Sequence, residues 1–573
     1  RSTLFPYTTL FRSGRVYRIA DNVVSPLGMT TAENYQALKA GRTALRHYAN
    51  HWGLPEPFTA ALFTPEQTAM MAIPGFTRFE SLVIHSVQDA VRQTDIEITA
   101  SNVIFILSTT KANIELLSQG VDAGPATAVQ HIAHHFGFTN KPIAVCNACI
   151  SGVSAIMLAQ RLLDAGTYDY AVVCGADVQN AFTLSGFQSL KAVSQQACRP
   201  FDIERVGLNL GEAASTLIFQ RDSVEDAWAI AYSAVRNDCF HISSPSKSGD
   251  GAFLALKAVH ASDNKDLLAF INAHGTATMF NDQMESVAIQ RAGLSDIPVN
   301  ALKGYFGHTL GAAGIIETVM SIAALDDHTI LRTPGYEEQG VSGKIKVTTA
   351  HEATERQSFI KMISGFGGGN GALFVTRHPF PTASIHVRPQ RVTHRLTLTP
   401  TFLKIDDDEI TLPSSGTSLL TALYRQYIND YPRYYKMDGL SRLGFVASQL
   451  LLHAEGTPSP DKRTDRAVVL FNRSSSVAAD LKYQESIKDA NNFFPSPSDF
   501  VYTLPNIVTG EIAIRHQYGG ETSFYILPTK DEHLMEVIVQ ASFGDDAVKS
   551  MLTGWVNYDD NTHFEADLSI IEI

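Results

Sequence analysis

A cysteine and two histidines, each beside small residues, are the side chains of this sequence whose types and spacing indicate covalent chemistry. Cys149 lies in the run AVCNACISG. His274 opens the run HGTAT, and His308 is the second residue of GHTLGAAG. A cysteine thiolate attacks thioesters, and imidazole N–H groups stabilise oxyanions. The three residues together predict acyl transfer through a cysteine.

The segments around Cys149 predict that it lies where a strand turns into a helix. Residues 143–149 are short and mostly apolar, and residues 153–163 repeat apolar positions at helical spacing. The positive end of the helix dipole favours thiolate over thiol, so we expect the pKa of Cys149 to be below the value of about 8.5 in a free cysteine. The alternative interpretation is a buried structural thiol, because free cysteine is among the most buried residue types.

Residues from about 16 to about 377 resemble the β-ketoacyl-acyl-carrier-protein synthases, the elongating condensing enzymes of the thiolase superfamily. The resemblance rests on short motifs that occur in the family's order. They are VSPLG at 24–28, the cysteine run at 144–152, GAD at 175–177, CRPFD at 198–202 with Arg205, Gly207, Gly211 and Glu212 after it, the two histidine runs, and GFGGGN at 365–370.

The resemblance implies a decarboxylative Claisen condensation of an acyl thioester with malonyl-acyl-carrier protein. Cys149 matches the nucleophile of the family. His274 and His308 match the two histidines that bind the malonyl thioester carbonyl and stabilise the enolate as carbon dioxide leaves. Fatty-acid and polyketide biosynthesis, aryl-polyene synthesis included, are the pathways that use this reaction.

Three further residues match the family's motifs. Lys303 and Glu317 are implied to orient the histidines and set the local charge, although each is also open to interpretation as an ordinary solvated charge. Phe366 matches a gating phenylalanine, and the resemblance implies an oxyanion hole made by the amides of Cys149 and Phe366. The chain departs from the family here, because Ser364 and Gly369 replace a phenylalanine and a threonine, which puts the stiffness of the gate in doubt.

Related enzymes are separated by the same positions. A thiolase would carry a second cysteine near its C-terminal end, but the last of the five cysteines is Cys239. The chain-initiating condensing enzymes have asparagine where this chain has His308. The alternative function is a non-elongating partner subunit of the chain-length-factor type, but such partners usually lose the cysteine.

Composition narrows the class of protein further. The net charge of −13 argues against general nucleic-acid binding. The sequence contains no apolar run of about 18 residues, so it predicts no membrane span. Five unevenly spaced cysteines in 573 residues do not suggest a disulfide framework, so we expect a reducing, cytoplasmic compartment.

The resemblance also implies the partners. An acyl carrier protein delivers its substrates on phosphopantetheine, and no other cofactor or metal is implied. Carrier proteins are usually acidic, so a local basic patch is expected to receive one. The enzymes of the family are usually homodimers, and a heterodimer with a condensing-enzyme-like subunit is the alternative.

The sequence divides into five parts. Residues 1–13 resemble a translated sequencing adapter and are set aside. The implied fold is α/β and thiolase-like, with two duplicated βαβαβαβαβ halves in stacked α-β-α-β-α layers. The predicted parts after the adapter are a first half with the nucleophile (14–222), a second half with the two histidine runs (223–377), a linker (378–396) and a C-terminal domain (397–573).

The C-terminal domain resembles a partial repeat of the first half. Residues 437–443, 467–472, 512–519 and 543–546 are similar to 74–79, 103–108, 132–137 and 165–166. The repeat contains no cysteine, and the position of the nucleophile falls on Leu527 or Asp531. Three explanations stay open: an inactive pseudo-subunit that shapes a chain-length pocket, a neighbouring gene that is read through, or an unrelated α/β module.

Overall fold

A computed structural model of the protein describes residues 11–12, 16–260, 264–378, 384–385, 389–413, 418–456, 461–489 and 493–573. Most of the segment set aside as adapter lies outside these residues. Its described part, Phe11–Arg12, pairs antiparallel with Ser384–Ile385. Within the described residues, no helix is both long and apolar enough to span a membrane.

In its described residues, the first half contains a five-stranded sheet and six α-helices. After β1 (Phe11–Arg12), which lies in the adapter segment, its strands are β2 (Val16–Val24), β3 (Arg46–Tyr48), β4 (Phe58–Ala61), β5 (Val103–Ser108), β6 (Ile143–Val145), β7 (Tyr170–Asp177), β8 (Leu210–Gly211) and β9 (Ala213–Gln220). Its helices are α1 (Thr31–Lys39), α2 (Pro65–Met71), α3 (Arg78–Val91), α4 (Pro125–Phe136), α5 (Ser151–Asp164) and α6 (Ala181–Ser189). The sheet order is β2–β9–β7–β5–β6, with two antiparallel pairings followed by two parallel ones.

The second half repeats this arrangement. Its strands are β10 (Ala229–Asn237), β11 (Phe270–Asn272), β12 (Pro298–Asn300), β13 (Thr329–Ile330), β14 (Lys346–Val347), β15 (Glu352–Ala353), β16 (Ser358–Ser364) and β17 (Gly369–Thr376). Its helices are α7 (Asp250–Val259), α8 (Met279–Arg291), α9 (Lys303–Phe306) and α10 (Ala313–Asp326). The order β10–β17–β16–β11–β12 again has two antiparallel and then two parallel pairings. The predicted duplication is confirmed.

The helices α5 and α10 form the central layer between the two sheets. All but the last residue of α5 is buried, and a Cβ atom added at Gly152 would lie 3.1 Å from the Cα of Gly314 in α10. Glycine at these positions lets the two helices approach closely. Helices α3 and α7 pack on the outer faces of the two sheets. The result is the predicted stack of five alternating layers.

The C-terminal unit, residues 391–573, contains a third sheet of the same kind. After β18 (Ser384–Ile385), its strands are β19 (Arg391–Thr399), β20 (Phe402–Ile405), β21 (Asp408–Glu409), β22 (Arg466–Asn472), β23 (Thr522–Ile526), β24 (Ser550–Tyr558) and β25 (Phe564–Glu572). Its helices are α11 (Leu419–Tyr427), α12 (Gly439–Glu455), α13 (Val477–Ile487), α14 (Pro497–Tyr502), α15 (Ile507–His516) and α16 (Glu532–Ser542). The order β19–β25–β24–β22–β23 repeats the two antiparallel and two parallel pairings of the first half.

The unit begins earlier than the sequence predicted. Strand β19 starts at Arg391, inside the stretch predicted as a linker from 378 to 396. Its first five residues, RVTHR, contain one apolar residue, so the start of the strand has only a weak apolar signal in sequence. Pairing with β25 forms the strand nonetheless.

The C-terminal unit differs from the first half in how its sheet is covered. Strand β9 is buried along both faces, whereas β25 alternates between buried apolar residues and partly exposed ones. Its partly exposed residues include Glu565 and Asp567, which form ion pairs with Lys530. At β25 the third sheet therefore has one apolar face and one polar face.

The C-terminal unit joins the first half edge to edge. Strand β23 pairs antiparallel with β6, with Tyr525 opposite Val145 and Ile526 opposite Ala144. The amide of Cys146 also donates to the carbonyl of Phe524 at 3.3 Å. One continuous sheet therefore runs through the first half and the C-terminal unit, and its junction lies directly before the turn that carries Cys149.

Candidate active site

Cys149 lies in a single 3-10 turn, Ala148–Ile150, between β6 and α5. Ala148 has a φ of 49°, a left-handed backbone that non-glycine residues rarely adopt. Ser151 holds the turn, because its hydroxyl donates to the carbonyl of Ala148 at 2.6 Å and accepts from the amide of Asn147 at 2.8 Å. The predicted position at a strand-to-helix turn is confirmed.

The predicted lowering of the pKa of Cys149 is wrong. Burial raises the pKa of this thiol to about 12, and the positive charge of Lys303 opposes the rise only in part. The side chain is 9% exposed, so the thiolate would lose most of its hydration. Cys149 is therefore a thiol in the free protein.

The two histidines converge on Cys149. The sulfur of Cys149 and one nitrogen from each of His274 and His308 lie within 4.8 Å of one another. The imidazole rings are 4.9 Å apart and nearly perpendicular, at 83°. The structure thus brings together the three residues that are separated by 125 and 34 positions in the chain.

Hydrogen bonds hold the ring of His308 and the backbone of His274. The Nδ1 of His308 accepts from the amide of Leu310 at 3.2 Å, which leaves the proton of a neutral ring on Nε2. That Nε2 atom is buried and has no hydrogen-bond partner among the described residues. The Glu285 carboxylate accepts from the amides of His274 at 2.7 Å and Gly275 at 2.8 Å, which holds the second histidine from its backbone.

Both histidines are neutral. Burial, reinforced by the positive charges of Lys303 and Lys361, holds their pKa values well below the ordinary 6.5. A neutral imidazole whose N–H faces the site donates a hydrogen bond to a developing oxyanion. The pair is suited to stabilise negative charge on a thioester oxygen.

Lys303 and Glu317 form a buried ion pair beside the histidines. Lys361 is a third member of this cluster, which the sequence analysis did not identify. The Lys303 ammonium donates to the Glu317 carboxylate and to the carbonyl of His274, both at 2.6 Å. Lys361 of β16 pairs with the other oxygen of Glu317. Lys361 could have been found from the sequence, because it is a charged residue inside the apolar run SFIKMIS.

Asp177 is a second residue whose role sequence reasoning did not identify, although it was part of a quoted motif. Its carboxylate accepts from the hydroxyl of Thr109 at 2.8 Å and from the amide of Gly311 at 2.7 Å. The side chain is buried. It thereby joins the end of β5 to the loop that follows His308.

Phe366 lies in a loop that covers the nucleophile turn. A Cβ atom added at Gly365 would lie 3.2 Å from the amide nitrogen of Cys149, so the loop and the turn are in backbone contact. The Phe366 ring stacks on Phe187 at a centroid distance of 6.0 Å. The structure therefore places Phe366 beside Cys149, as predicted.

A narrow cavity adjoins Cys149, and the C-terminal unit completes its wall. Its volume is about 20 Å³, which is room for about one water molecule and not for an acyl chain. Phe187, Leu310 and Phe366 line it from the first two halves, and Phe500 and Leu504 line it from the C-terminal unit. Side chains in this wall must move before an acyl chain enters.

A buried ion pair links the two units at the same wall. The ammonium of Lys111, a residue that lines the cavity, donates to the Asp480 carboxylate at 2.6 Å and to the carbonyl of Thr503. Both charged side chains are less than 10% exposed. Nothing in the sequence pairs Lys111 with Asp480, because 369 positions separate them.

The fold and the site are those of a condensing enzyme, and comparison with known proteins names the family that the first two halves match. Residues 97–225 match the family model described as the N-terminal domain of β-ketoacyl synthase, and residues 228–337 match the C-terminal domain. Residues 97–337 therefore form a β-ketoacyl synthase of the thiolase superfamily, an acyltransferase of the 2.3.1 class.

Curated relatives agree with this assignment. The 3-oxoacyl-[acyl-carrier-protein] synthase 2 of Vibrio cholerae is 26% identical over 413 residues, which cover 63% of this chain and 99% of that protein. The enzyme of the same name from Rhizobium meliloti is 34% identical over 261 residues, 41% of this chain and 60% of that protein.

Solved structures show the same fold, and one of them extends over the C-terminal unit. A β-ketoacyl synthase from Burkholderia phymatum matches 64% of this chain and all of its own length, with 23% identity and a TM-score of 0.57. A structure described as the PfaC keto synthase–chain length factor matches 98% of this chain and 78% of its own length, with 14% identity and a TM-score of 0.75.

Proposed function

We propose that the protein elongates acyl thioesters by decarboxylative condensation with a malonyl thioester carried by an acyl carrier protein. The convergence of Cys149, His274 and His308 within 4.8 Å carries the proposal. Acyl groups arrive on the phosphopantetheine of the carrier protein, and the reaction uses no other cofactor.

In the first step, Cys149 takes the acyl group. Its sulfur attacks the thioester carbonyl, the amides of Cys149 and Phe366 donate to the resulting oxyanion, and the phosphopantetheine leaves as a thiol with the proton that Cys149 gave up. The contact between the Phe366 loop and the nucleophile turn supports this role of the two amides.

In the second step, the malonyl thioester loses carbon dioxide. The electron pair of the broken carbon–carbon bond forms an enolate, to whose oxygen His274 and His308 donate hydrogen bonds. The enolate carbon then attacks the acyl-Cys149 carbonyl, which forms the new carbon–carbon bond and releases the cysteine sulfur. Neutral histidines, one of them with an unpartnered buried Nε2, support this assignment.

Lys303, Glu317 and Lys361 have positioning roles in this proposal. Lys303 donates to the carbonyl of His274, so it holds that histidine in place. Glu317 pairs with both lysines, and its single negative charge offsets one of their two positive charges. A positive charge beside the site also favours the enolate.

We propose that the C-terminal unit is a fused pseudo-subunit of the chain-length-factor type. It contains no cysteine, it fills the free edge of β6, and it lines the cavity with Phe500 and Leu504. One face of β25 is polar, which is expected of a unit that has no second half to cover that face. Because β23 occupies the β6 edge, the chain itself supplies the partner that another subunit would otherwise provide.

We propose that this elongation belongs to a polyketide-type pathway, because the C-terminal unit is placed as a chain-length factor would be. Solved structures that share the fold include the ketosynthase ApeO with its chain length factor ApeC from Xenorhabdus doucetiae and the ishigamide ketosynthase/chain length factor.

The five free, buried cysteines support a reducing compartment such as the cytoplasm.

Intact-mass measurement of acyl loading tests the first step. The full chain is incubated with acyl-carrier proteins of several chain lengths, beside the Cys149→Ala variant. We expect one acyl adduct per chain in the wild type and none in the variant. Folded wild-type protein that takes no acyl group contradicts the proposal and favours a non-elongating partner subunit.

A further inference from the structure

Asn506, in the C-terminal unit, holds the loop that carries Phe366. Its side-chain Nδ2 donates to the Phe366 carbonyl at 2.8 Å. The residue is 5% exposed, and its Oδ1 is buried without a hydrogen-bond partner in the described part of the chain. A buried acceptor without a partner destabilises the folded state. The side-chain conformation of Asn506 therefore costs the fold some stability.

The position of Asn506 makes this contact unusual. It is the N-cap residue of α15, where asparagine normally accepts a hydrogen bond from the first turn of its own helix. The Asn506 side chain makes no such cap. It points across the junction between the units and binds the Phe366 loop instead.

The backbones of the loop and of α15 are also in contact. A Cβ atom added at Gly510, one turn into the helix, would lie 2.6 Å from the carbonyl oxygen of Gly367. The same carbonyl accepts from the Nδ2 of Asn237 at 2.8 Å, and the amide of Gly367 donates to Ile242 at 2.7 Å. The loop is therefore held between the second half and the C-terminal unit.

The ring of Phe366 completes the link between the loop and the C-terminal unit. It stacks on Phe187, which in turn packs edge-on against Phe500 at a centroid distance of 5.3 Å. Both the backbone and the ring of Phe366 thus depend on residues of the C-terminal unit.

We propose that Asn506 is a positioning residue for acyl transfer, acting from the unit that has no nucleophile by holding the Phe366 amide where the oxyanion forms. The inference rests on the proposed function. Loss of the Asn506 hydrogen bond leaves the acyl thioester able to bind but places one oxyanion donor wrongly. The maximal rate therefore falls, while the apparent affinity for the acyl-carrier protein is unchanged.

The test uses the full chain with Asn506→Asp, which keeps the shape of the side chain but removes the donor. The matched control is Lys141→Ala, which removes an exposed ion pair to Asp531 at 2.7 Å between the first half and the C-terminal unit, outside the Phe366 loop. Single-turnover acyl transfer to Cys149 is followed by intact mass at several acyl-carrier-protein concentrations. We expect Asn506→Asp to lower the maximal rate about 10- to 100-fold with an unchanged half-saturating concentration, and the control to keep the wild-type rate.

Hydrogen exchange of the unliganded proteins gives a second readout that needs no activity. We expect faster exchange in the peptide that spans residues 364–370 of Asn506→Asp, and no change there in the control. Wild-type exchange in this peptide, or wild-type acyl transfer by the variant, overturns the inference and leaves the proposed function intact. Wild-type protein that takes no acyl group overturns the proposed function itself, and this inference with it.

Discussion

Asn147 of the nucleophile turn accepts a hydrogen bond from the amide of Phe524 in the C-terminal unit, at 2.7 Å through its Oδ1. Asn147 lies two positions before Cys149, and Phe524 lies in β23, so the contact extends the junction of the two sheets to the turn that carries Cys149. The C-terminal unit, which contains no cysteine, is therefore part of the structure that positions Cys149.

Substitution of His308 separates the two steps of the proposed reaction. In His308→Ala, Cys149 and the Phe366 loop are unchanged, so we expect acyl loading close to the wild-type rate. The enolate loses one oxyanion donor, and decarboxylation of the malonyl thioester falls about 10²- to 10³-fold. Carbon dioxide release measures the second step and intact mass the first. Equal loss in both steps would show that His308 does not act on the enolate alone.

The pKa of Cys149 predicts how its alkylation depends on pH. Because burial raises this pKa to about 12, the thiolate is scarce at pH 7 and its fraction rises about ten-fold per pH unit up to the pKa. The rate of iodoacetamide labelling at Cys149 is expected to rise between pH 7 and pH 9 without a plateau. Mass spectrometry of the labelled peptide gives the rate. A plateau below pH 8 would restore the activated thiolate that the sequence alone had predicted.

Glu317 is expected to stabilise the fold as well as the site. Glu317→Gln leaves the buried ammonium groups of Lys303 and Lys361 without a carboxylate, which we expect to lower the free energy of unfolding by about 3–5 kcal/mol. Denaturant unfolding measures the change. Glu338→Gln, at an exposed position, is the control and should leave stability unchanged. Equal stability of the two variants would show that the cluster is not charged as proposed.

Phe500 is expected to limit the length of the acyl chain. Phe500→Ala removes an aromatic ring from the cavity wall beside Cys149, so the variant should load longer acyl groups than the wild type. Competition between acyl-carrier proteins of different chain lengths, read by intact mass, measures the preference. Phe494→Ala removes an aromatic ring of the same unit that is 75% exposed and is the control. An unchanged preference in Phe500→Ala would remove the C-terminal unit from chain-length selection.

The sequence predicted the residues that a local motif marks, and it failed where distance in space decides. Cys149, His274 and His308 each lie in a short run with small neighbours, so their positions were predicted from the family's motifs. The pKa of Cys149 was predicted wrongly, because a helix terminus is visible in sequence whereas burial of the thiol depends on the packing around it.

The contribution of the C-terminal unit to the site lay beyond sequence reasoning for the same reason. The partial repeat was recognisable from similar segments, but the pairing of β23 with β6 and the contact of Asn506 with Phe366 join residues that lie more than 100 positions apart. Lys361 was a different case, because a charged residue in a buried strand was a signal that sequence reasoning had available and did not use.

The central claim is that this single chain forms a carbon–carbon bond at Cys149, and the product of one condensation tests it most directly. The full chain is mixed with two substrates. One is carrier protein loaded with the acyl primer, and the other is carrier protein loaded with a malonyl group that is ¹³C-labelled in its free carboxyl group. We predict a β-keto product two carbons longer than the acyl primer, with the label released as carbon dioxide and no such product from Cys149→Ala. Release of labelled carbon dioxide without a longer product, or formation of the product by Cys149→Ala, would contradict the account.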